Sequence, residues 1–293
     1  MIRQILSEFL RDCKSRALSW NTVEYYRRQI TFFQEYCENQ GITDIEDVTT
    51  DVLRSYFISL DGAHNAGGKH AKYRAVKVFF LWYEREYEPD DWKNPIHKVK
   101  PPKVPEQIIE GITIEQVKQI LSTCDSTRFS DVRDRAMILF LLDTGVRVQE
   151  MIDLNRDDLL EDGSVHVRKG KGGKARFTYM GNKTRRAMRK YFRHRKDSNP
   201  AVFVNQMGER IAKSTIQGML NRRCQLVGVP RQSPHDFRRA FVLNMLRSKK
   251  VDVYDLKMLT GHTTLEVLGR YAAKAREDAQ TAHEEGSPVD RLL

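Results

Sequence analysis

A mainly α protein in two parts is predicted from three observations. Apolar residues recur three and four apart through most of residues 1–94. A proline-rich stretch, NPIHKVKPPKVPEQ, then interrupts the period, with four prolines between Pro95 and Pro105. Beyond it the helical period returns and yields once, near residues 164–180, to alternation of period two. The expected fold is a four-helix N-terminal domain (1–94), a basic linker (95–107) and a mixed α/β domain (108–293), mostly helical with one small antiparallel sheet and a C-terminal tail (272–293).

In the first part, Ile2, Ile5, Leu6, Phe9 and Leu10 begin one amphipathic helix. A second follows Ser19 or Asn21, carries Val23, Tyr26, Ile30, Phe33 and Cys37, and stops at Gly41. Thr49 caps a short third helix. Asp61 to Gly68 reads as a loop and Ala71 to Tyr87 as the last helix. In the second part Thr113 and Gln116 form a capping box, and a helix from Asp131 to Asp143 ends at Gly145, a left-handed cap. Another helix lies around Glu150 to Leu154. Val165 and Val167, then Phe177 and Tyr179, alternate with polar neighbours on either side of KGKGGK, which predicts a hairpin with a basic tip. Helices are expected at Lys183–His194, Ser214–Val227, Pro234–Ser248, Val253–Thr260 and Thr264–Ala279, with a short strand at Val202–Val204.

The 293 residues suffice for one or two packed cores. No apolar run approaches the roughly 18 residues of a membrane span, and the charged N-terminus lacks a secretory pattern, so the cytoplasm is expected. Cys13, Cys37, Cys124 and Cys224 are scattered, which suits reduced thiols better than a disulfide or zinc framework. Lysine and arginine number 50 against 39 acids, a net charge of +11, which points to a polyanionic partner. The segment from Ser164 to Lys196 holds thirteen lysines and arginines and no acid, a nucleic-acid footprint.

Phosphodiester chemistry needs cations on the non-bridging oxygens, an in-line nucleophile and a proton donor for the leaving oxygen. The chain offers Arg147 just past a helix end with Glu150 three residues on, lysines at the hairpin tip, and His235 and Arg238 three apart on the helix that Pro234 opens. Gly261-His262 follows a helix, and Tyr271 comes nine residues later. A phosphate-binding P-loop is excluded, because Arg168 and Ala175 stand where its glycine and its Ser or Thr would be needed. No metal or cofactor is expected.

These residues, in this order, resemble the tyrosine recombinase (phage integrase) family: Thr144-Gly145-Val146-Arg147-Val148-Gln149-Glu150, Lys171 in GKGGKAR, His235-Asp236-Phe237-Arg238, Gly261-His262 and Tyr271. Thr260 and Lys249-Lys250 depart from the family, which often has leucine before Gly-His and glycine before that helix. The resemblance implies a SAM-like N-terminal domain and a tyrosine recombinase catalytic domain. It implies that Tyr271 attacks DNA to leave a 3′-phosphotyrosyl link, that Arg147 and Arg238 clamp the phosphate, and that Lys171 protonates the leaving 5′-oxygen. It gives His235 an acid/base or hydrogen-bonding role, has His262 donate to the phosphate, and makes Glu150 a supporting residue. Lys169 and Lys174 share the turn, and either could be the donor instead. With Arg176 and Arg239 they are read as DNA-binding.

The expected activity is site-specific recombination through a Holliday junction, on double-stranded DNA with inverted-repeat core sites. The protein would act as a homotetramer on two DNA sites in the nucleoid, as an Xer-like recombinase or a mobile-element integrase. No additional arm-binding domain is expected before residue 1, which favours simple inverted-repeat core sites. A type IB topoisomerase-like enzyme and a catalytically silent DNA-binding protein are the alternatives. A supercoil-relaxation assay beside a two-site recombination assay separates the enzymes, and a residue set complete for chemistry argues against mere binding.

Overall fold

Ile2, Ile5, Leu6, Phe9 and Cys13 fall on one side of α1 (Ile2–Ser15) and are all buried, as their spacing requires. They meet α2 (Trp20–Asn39), α3 (Thr50–Ser59) and α4 (Ala66–Tyr87) in an aromatic-rich core. The ring of Phe9 stands edge-on to Tyr26, Phe79 and Trp82 at 5.3 to 5.5 Å. The Ser19 hydroxyl accepts from Thr22 N and the Thr49 hydroxyl from Val52 N, so both predicted caps form. Helix α4 begins five residues earlier than expected. The Asn65 side chain accepts from Gly68 N at 2.8 Å, which lets Gly67 and Gly68 occupy a first turn whose amides need no intrahelical partner.

The computed structural model describes residues 1–105, 111–168, 175–248 and 250–261, and the chain divides into two units, Met1–Gln107 and Ile108–Leu293. The expected linker is not wholly a linker. Pro95–Lys98 forms a 3-10 turn, Ile96 and Val99 join the first core, and Tyr73 Oη donates to Val99 O at 2.8 Å. Proline suits the start of such a turn as well as an extended spacer, and the apolar residues beside it decide between them.

The second unit is built on α6 (Phe129–Thr144), whose Ala136, Met137, Ile138, Phe140 and Leu141 are inaccessible to solvent. Around it stand α5 (Ile114–Ser122), α7 (Val148–Asp153), α8 (Asn182–His194), α9 (Lys213–Leu226), α10 (Pro234–Arg247) and α11 (Val253–Thr260). Strands β1 (Ser164–Val167) and β2 (Arg176–Tyr179) pair antiparallel, with Val165 opposite Thr178 and Val167 opposite Arg176. The predicted strand at Val202–Val204 reduces to isolated bridges, Ala201 to Asn155 and Val204 to Arg210. A buried ion network closes the far side: Arg223 bonds Asp134 and Asp131, and Arg133 also holds Asp134. The four cysteines are buried free thiols, each with its pKa raised by burial, Cys37 to about 12. Among the described residues no helix is long and apolar enough to cross a membrane.

Candidate active site

Two helices end in left-handed glycines, and their free carbonyls organise the site. Gly145 closes α6 at φ 60° and Gly261 closes α11 at φ 65°. A Cβ at Gly145 would lie 2.2 Å from the Phe241 ring, so this position admits only glycine. The last carbonyls of a helix lack intrahelical donors and sit at the negative end of its dipole, where guanidinium groups are favoured. Three arginines use them. Arg176 Nε donates to Leu259 O at 3.0 Å, Arg238 Nη2 to Thr260 O at 2.7 Å, and Arg147 Nη2 to Gly261 O at 2.9 Å. Arg238 Nη1 also donates to Gly145 O at 2.6 Å, which ties both helix ends to α10. Thr260 is fully buried and its hydroxyl turns back to Leu256 O, so threonine in place of leucine adds no unpaired polar atom here.

Arg147 is the N-cap residue of α7, and its backbone amide donates to Glu150 at 2.8 Å. Arg147 Nη1 reaches the other carboxylate oxygen at 2.8 Å, while Arg176 grips the same carboxylate with both amino groups at 2.8 and 2.6 Å. Burial by itself would raise the Glu150 pKa; the hydrogen bonds from Arg176 and Arg147 outweigh it and hold the carboxyl below its ordinary value. An ionised carboxylate shared by two arginines fixes both forks.

His235 stands in the first turn of α10, after Pro234 and a cap in which Ser233 N and Oγ donate to Asp236 at 2.8 and 2.7 Å. The residue is exposed to solvent. Its pKa is lowered, first by partial desolvation and then by the charges of Arg239 and Arg238, with Arg147 adding to them, so a neutral imidazole is favoured at pH 7. The same helix holds Arg239, which pairs with Asp236 at 3.2 Å and whose buried Nε has no partner among the described residues.

The structure therefore brings Arg147, Glu150, His235, Arg238 and Arg239 together. Arg176, read from the sequence as a DNA contact, points inward instead: its side chain is 8% exposed and three of its N–H groups are engaged inside the protein. Lys169, Lys171, Lys174, His262 and Tyr271, the helix expected at Thr264–Ala279 and the tail lie outside the described residues. Among the described residues no cluster of three His, Cys, Asp or Glu could hold a metal ion. The sequence reading missed the brace formed by Arg176. The alternation of the strand gave no signal for it, since Phe177 and Tyr179 read as the inward side.

Residues 110–278 match the Phage integrase family and residues 6–86 match the phage integrase N-terminal SAM-like domain. Tyrosine recombinase XerC of Leptospira interrogans is 29% identical, over 93% of this chain and 89% of its own. Tyrosine recombinase XerD of Corynebacterium glutamicum is 30% identical, over 92% and 93%. Among solved structures, the XerH site-specific recombinase bound to palindromic difH substrate in a post-cleavage complex superposes with a TM-score of 0.73 at 18% identity, covering 97% of this chain and 85% of that one. The last likeness speaks for the fold, and the first two for descent. With the motif residues converging on two helix ends, this chain belongs to the phage integrase family, the tyrosine recombinases.

Proposed function

We propose that this chain is a site-specific DNA recombinase that cleaves and rejoins strands through Tyr271. The observation that carries this reading is the anchoring of Arg147 and Arg238 on the adjacent carbonyls of Gly261 and Thr260, immediately before His262. Two planar forks held in one place suit the two non-bridging oxygens of a phosphodiester. In the proposed step the Tyr271 oxygen attacks phosphorus as the bond to the 5′-oxygen breaks. The phenolic proton passes to His235, kept neutral by its surroundings, in its role as acid/base or hydrogen-bonding partner, and Lys171 gives a proton to the leaving oxygen. His262 donates to the phosphate. The phosphotyrosyl bond keeps the energy of the broken ester, so a 5′-hydroxyl can reverse the step without a nucleotide.

Two such exchanges, on duplexes with inverted-repeat core sites held by a homotetramer, pass through a Holliday junction. The protein's place is then the nucleoid. The test is incubation with nicked suicide duplexes prepared from a genomic library, in EDTA, followed by detergent. A covalent protein–DNA adduct is expected from the wild type, and Tyr271→Phe should abolish it. An equal adduct in the variant would refute the assignment of Tyr271.

A further inference from the structure

Helix α8 turns Thr184, Met188 and Tyr191 inward and presents Lys183, Arg186, Arg189, Lys190 and Arg193 to solvent. None of these five side chains has an ion pair or hydrogen bond among the described residues. The arrangement works against the helix. Lys183 and Arg186 stand near its N-terminus, where the dipole is already positive, and Arg186 with Lys190 and Arg189 with Arg193 are like charges four apart. No acid on α8 offsets them. A helix that served only to cover α6 would gain from glutamate at these positions.

The row has a definite course. Gly181 N donates to Asp143 at 2.7 Å at one end of α8, and Tyr191 packs on Phe129 at the other, so α8 runs antiparallel to α6. The cations begin beside the end of α6 that leads into Gly145 and Arg147, and they continue away from it. We infer that this face is a further binding surface for double-stranded DNA, gripping the phosphate backbone apart from the Arg147–Arg238 clamp; the inference rests on the DNA chemistry proposed above. From Lys183 to Arg193 is about 15 Å of helix axis, which gives one exposed cation per roughly 3 Å. Duplex DNA carries one negative charge per roughly 1.7 Å. That density is sufficient to meet every cation of the row, whose members stand three residues apart except for the adjacent Arg189 and Lys190.

Four of these cations, Lys183, Arg186, Lys190 and Arg193, rim a groove of about 630 Å³ floored by Leu121, Cys124, Val132, Leu139 and Ala187, which an acidic peptide with apolar anchors could also enter. Charge density favours the duplex. A peptide helix of ordinary acidic content cannot supply carboxylates to the whole row.

The test uses the full chain and the triple variant Arg186→Gln/Arg189→Gln/Arg193→Gln, titrated onto a fluorescent random-sequence duplex of about 30 base pairs over a range of KCl concentrations. Each phosphate contact contributes about 0.9 to the slope of log K against log salt, so the slope should fall by about 2.7. The thermal midpoint should not fall, because like-charge repulsion is relieved. Should the triple variant fold poorly, Lys183→Gln/Lys190→Gln supplies a second reading, with an expected fall of about 1.8. Equal slopes in variant and wild type overturn the proposal. So does unchanged duplex binding with lost binding of a glutamate-rich helical 20-residue peptide, which would give the groove to a protein partner. The Tyr271 adduct is read separately on the wild-type chain, so its failure and the failure of this surface are distinguishable.

Discussion

Glu150 shows how one carboxylate can set the geometry of a cationic site by fixing the arginines around it. Its side chain is 5% exposed, and its charge is tolerated there because Arg147 and Arg176 donate to it from two sides. Arg176→Met removes two of those bonds, leaves burial to raise the Glu150 pKa, and frees the end of α11 at Leu259 O. The expected result is a fall of roughly 100-fold in adduct formation at saturating DNA, about 2.7 kcal/mol, with duplex affinity nearly unchanged. The loss should deepen as the pH falls through the raised Glu150 pKa, whereas the wild-type carboxylate stays ionised over that range. Arg176→Lys restores the charge but not the bidentate grip and should recover activity only in part. A merely structural role predicts a lower melting temperature with no altered pH profile. The inward turn of Arg176 was not legible from the alternation of β2, which reads most simply with Phe177 and Tyr179 inward. In the structure these two are 47% and 57% exposed, while Thr178 is buried and donates to Thr144 O at 2.8 Å. The space beneath β2 is lined by a carboxylate and free helix carbonyls, which polar side chains satisfy and rings do not.

At the scale of the elements, what could be read locally was read well. Thr113 and Gln116 form their capping box, and Gly145 takes the left-handed conformation that its place after a helix suggested. Features set by tertiary packing escaped, such as Ile96 and Val99 joining the first core across a proline-rich stretch. Lys72 on α4 is another. It is 2% exposed, its Nζ lies 3.4 Å from the centre of the Phe32 ring, and it has no hydrogen-bond partner among the described residues. Burial, and after it the charge of Arg28, lowers its pKa to about 8 from an ordinary 10.5. The folded state thus holds this proton less tightly than the unfolded chain does. Its penalty is in full force below pH 8 and is relieved as the pH rises from about 8 to 10.5, because there the unfolded chain binds more protons. Lys72→Met keeps the length and removes the charge, and should stabilise the N-terminal unit by roughly 1–3 kcal/mol at pH 7. It should also flatten the rise in stability between pH 8 and 10.5. Denaturation followed by tryptophan fluorescence reads this unit alone, since Trp20, Trp82 and Trp92 are the chain's three tryptophans and all lie in it. Lower stability in the variant, or an unchanged pH dependence, would show that Phe32 and the lysine stem hold more than the buried charge costs.

Across the whole molecule, charge is distributed by segment more than its net value of +11 suggests. Residues 164–196 hold no acid, while the end of the chain carries Glu277, Asp278, Glu284, Glu285 and Asp290 and closes on Val289, Leu292 and Leu293. In sequence, Gly286 and Pro288 separate these last apolar residues from the segment that follows Tyr271, since proline and glycine do not continue a helix. The resemblance to tyrosine recombinases implies that such a segment joins a neighbouring protomer in the homotetramer proposed above, and an acidic, apolar-ended segment suits a second copy of a basic protein. Deleting residues 284–293 should therefore leave binding to a single core-site duplex within about threefold, under 0.7 kcal/mol. Cooperative assembly of two duplexes should weaken by at least tenfold, about 1.4 kcal/mol, and the ratio of cleaved strands in a Holliday junction should change. Gel shifts at rising protein concentration measure the first two, and junction resolution measures the third. A truncated chain that assembles and resolves junctions like the intact one would assign the link to another surface. Adduct formation through Tyr271 would stand unaffected by that result, because it requires one protomer on one scissile phosphate.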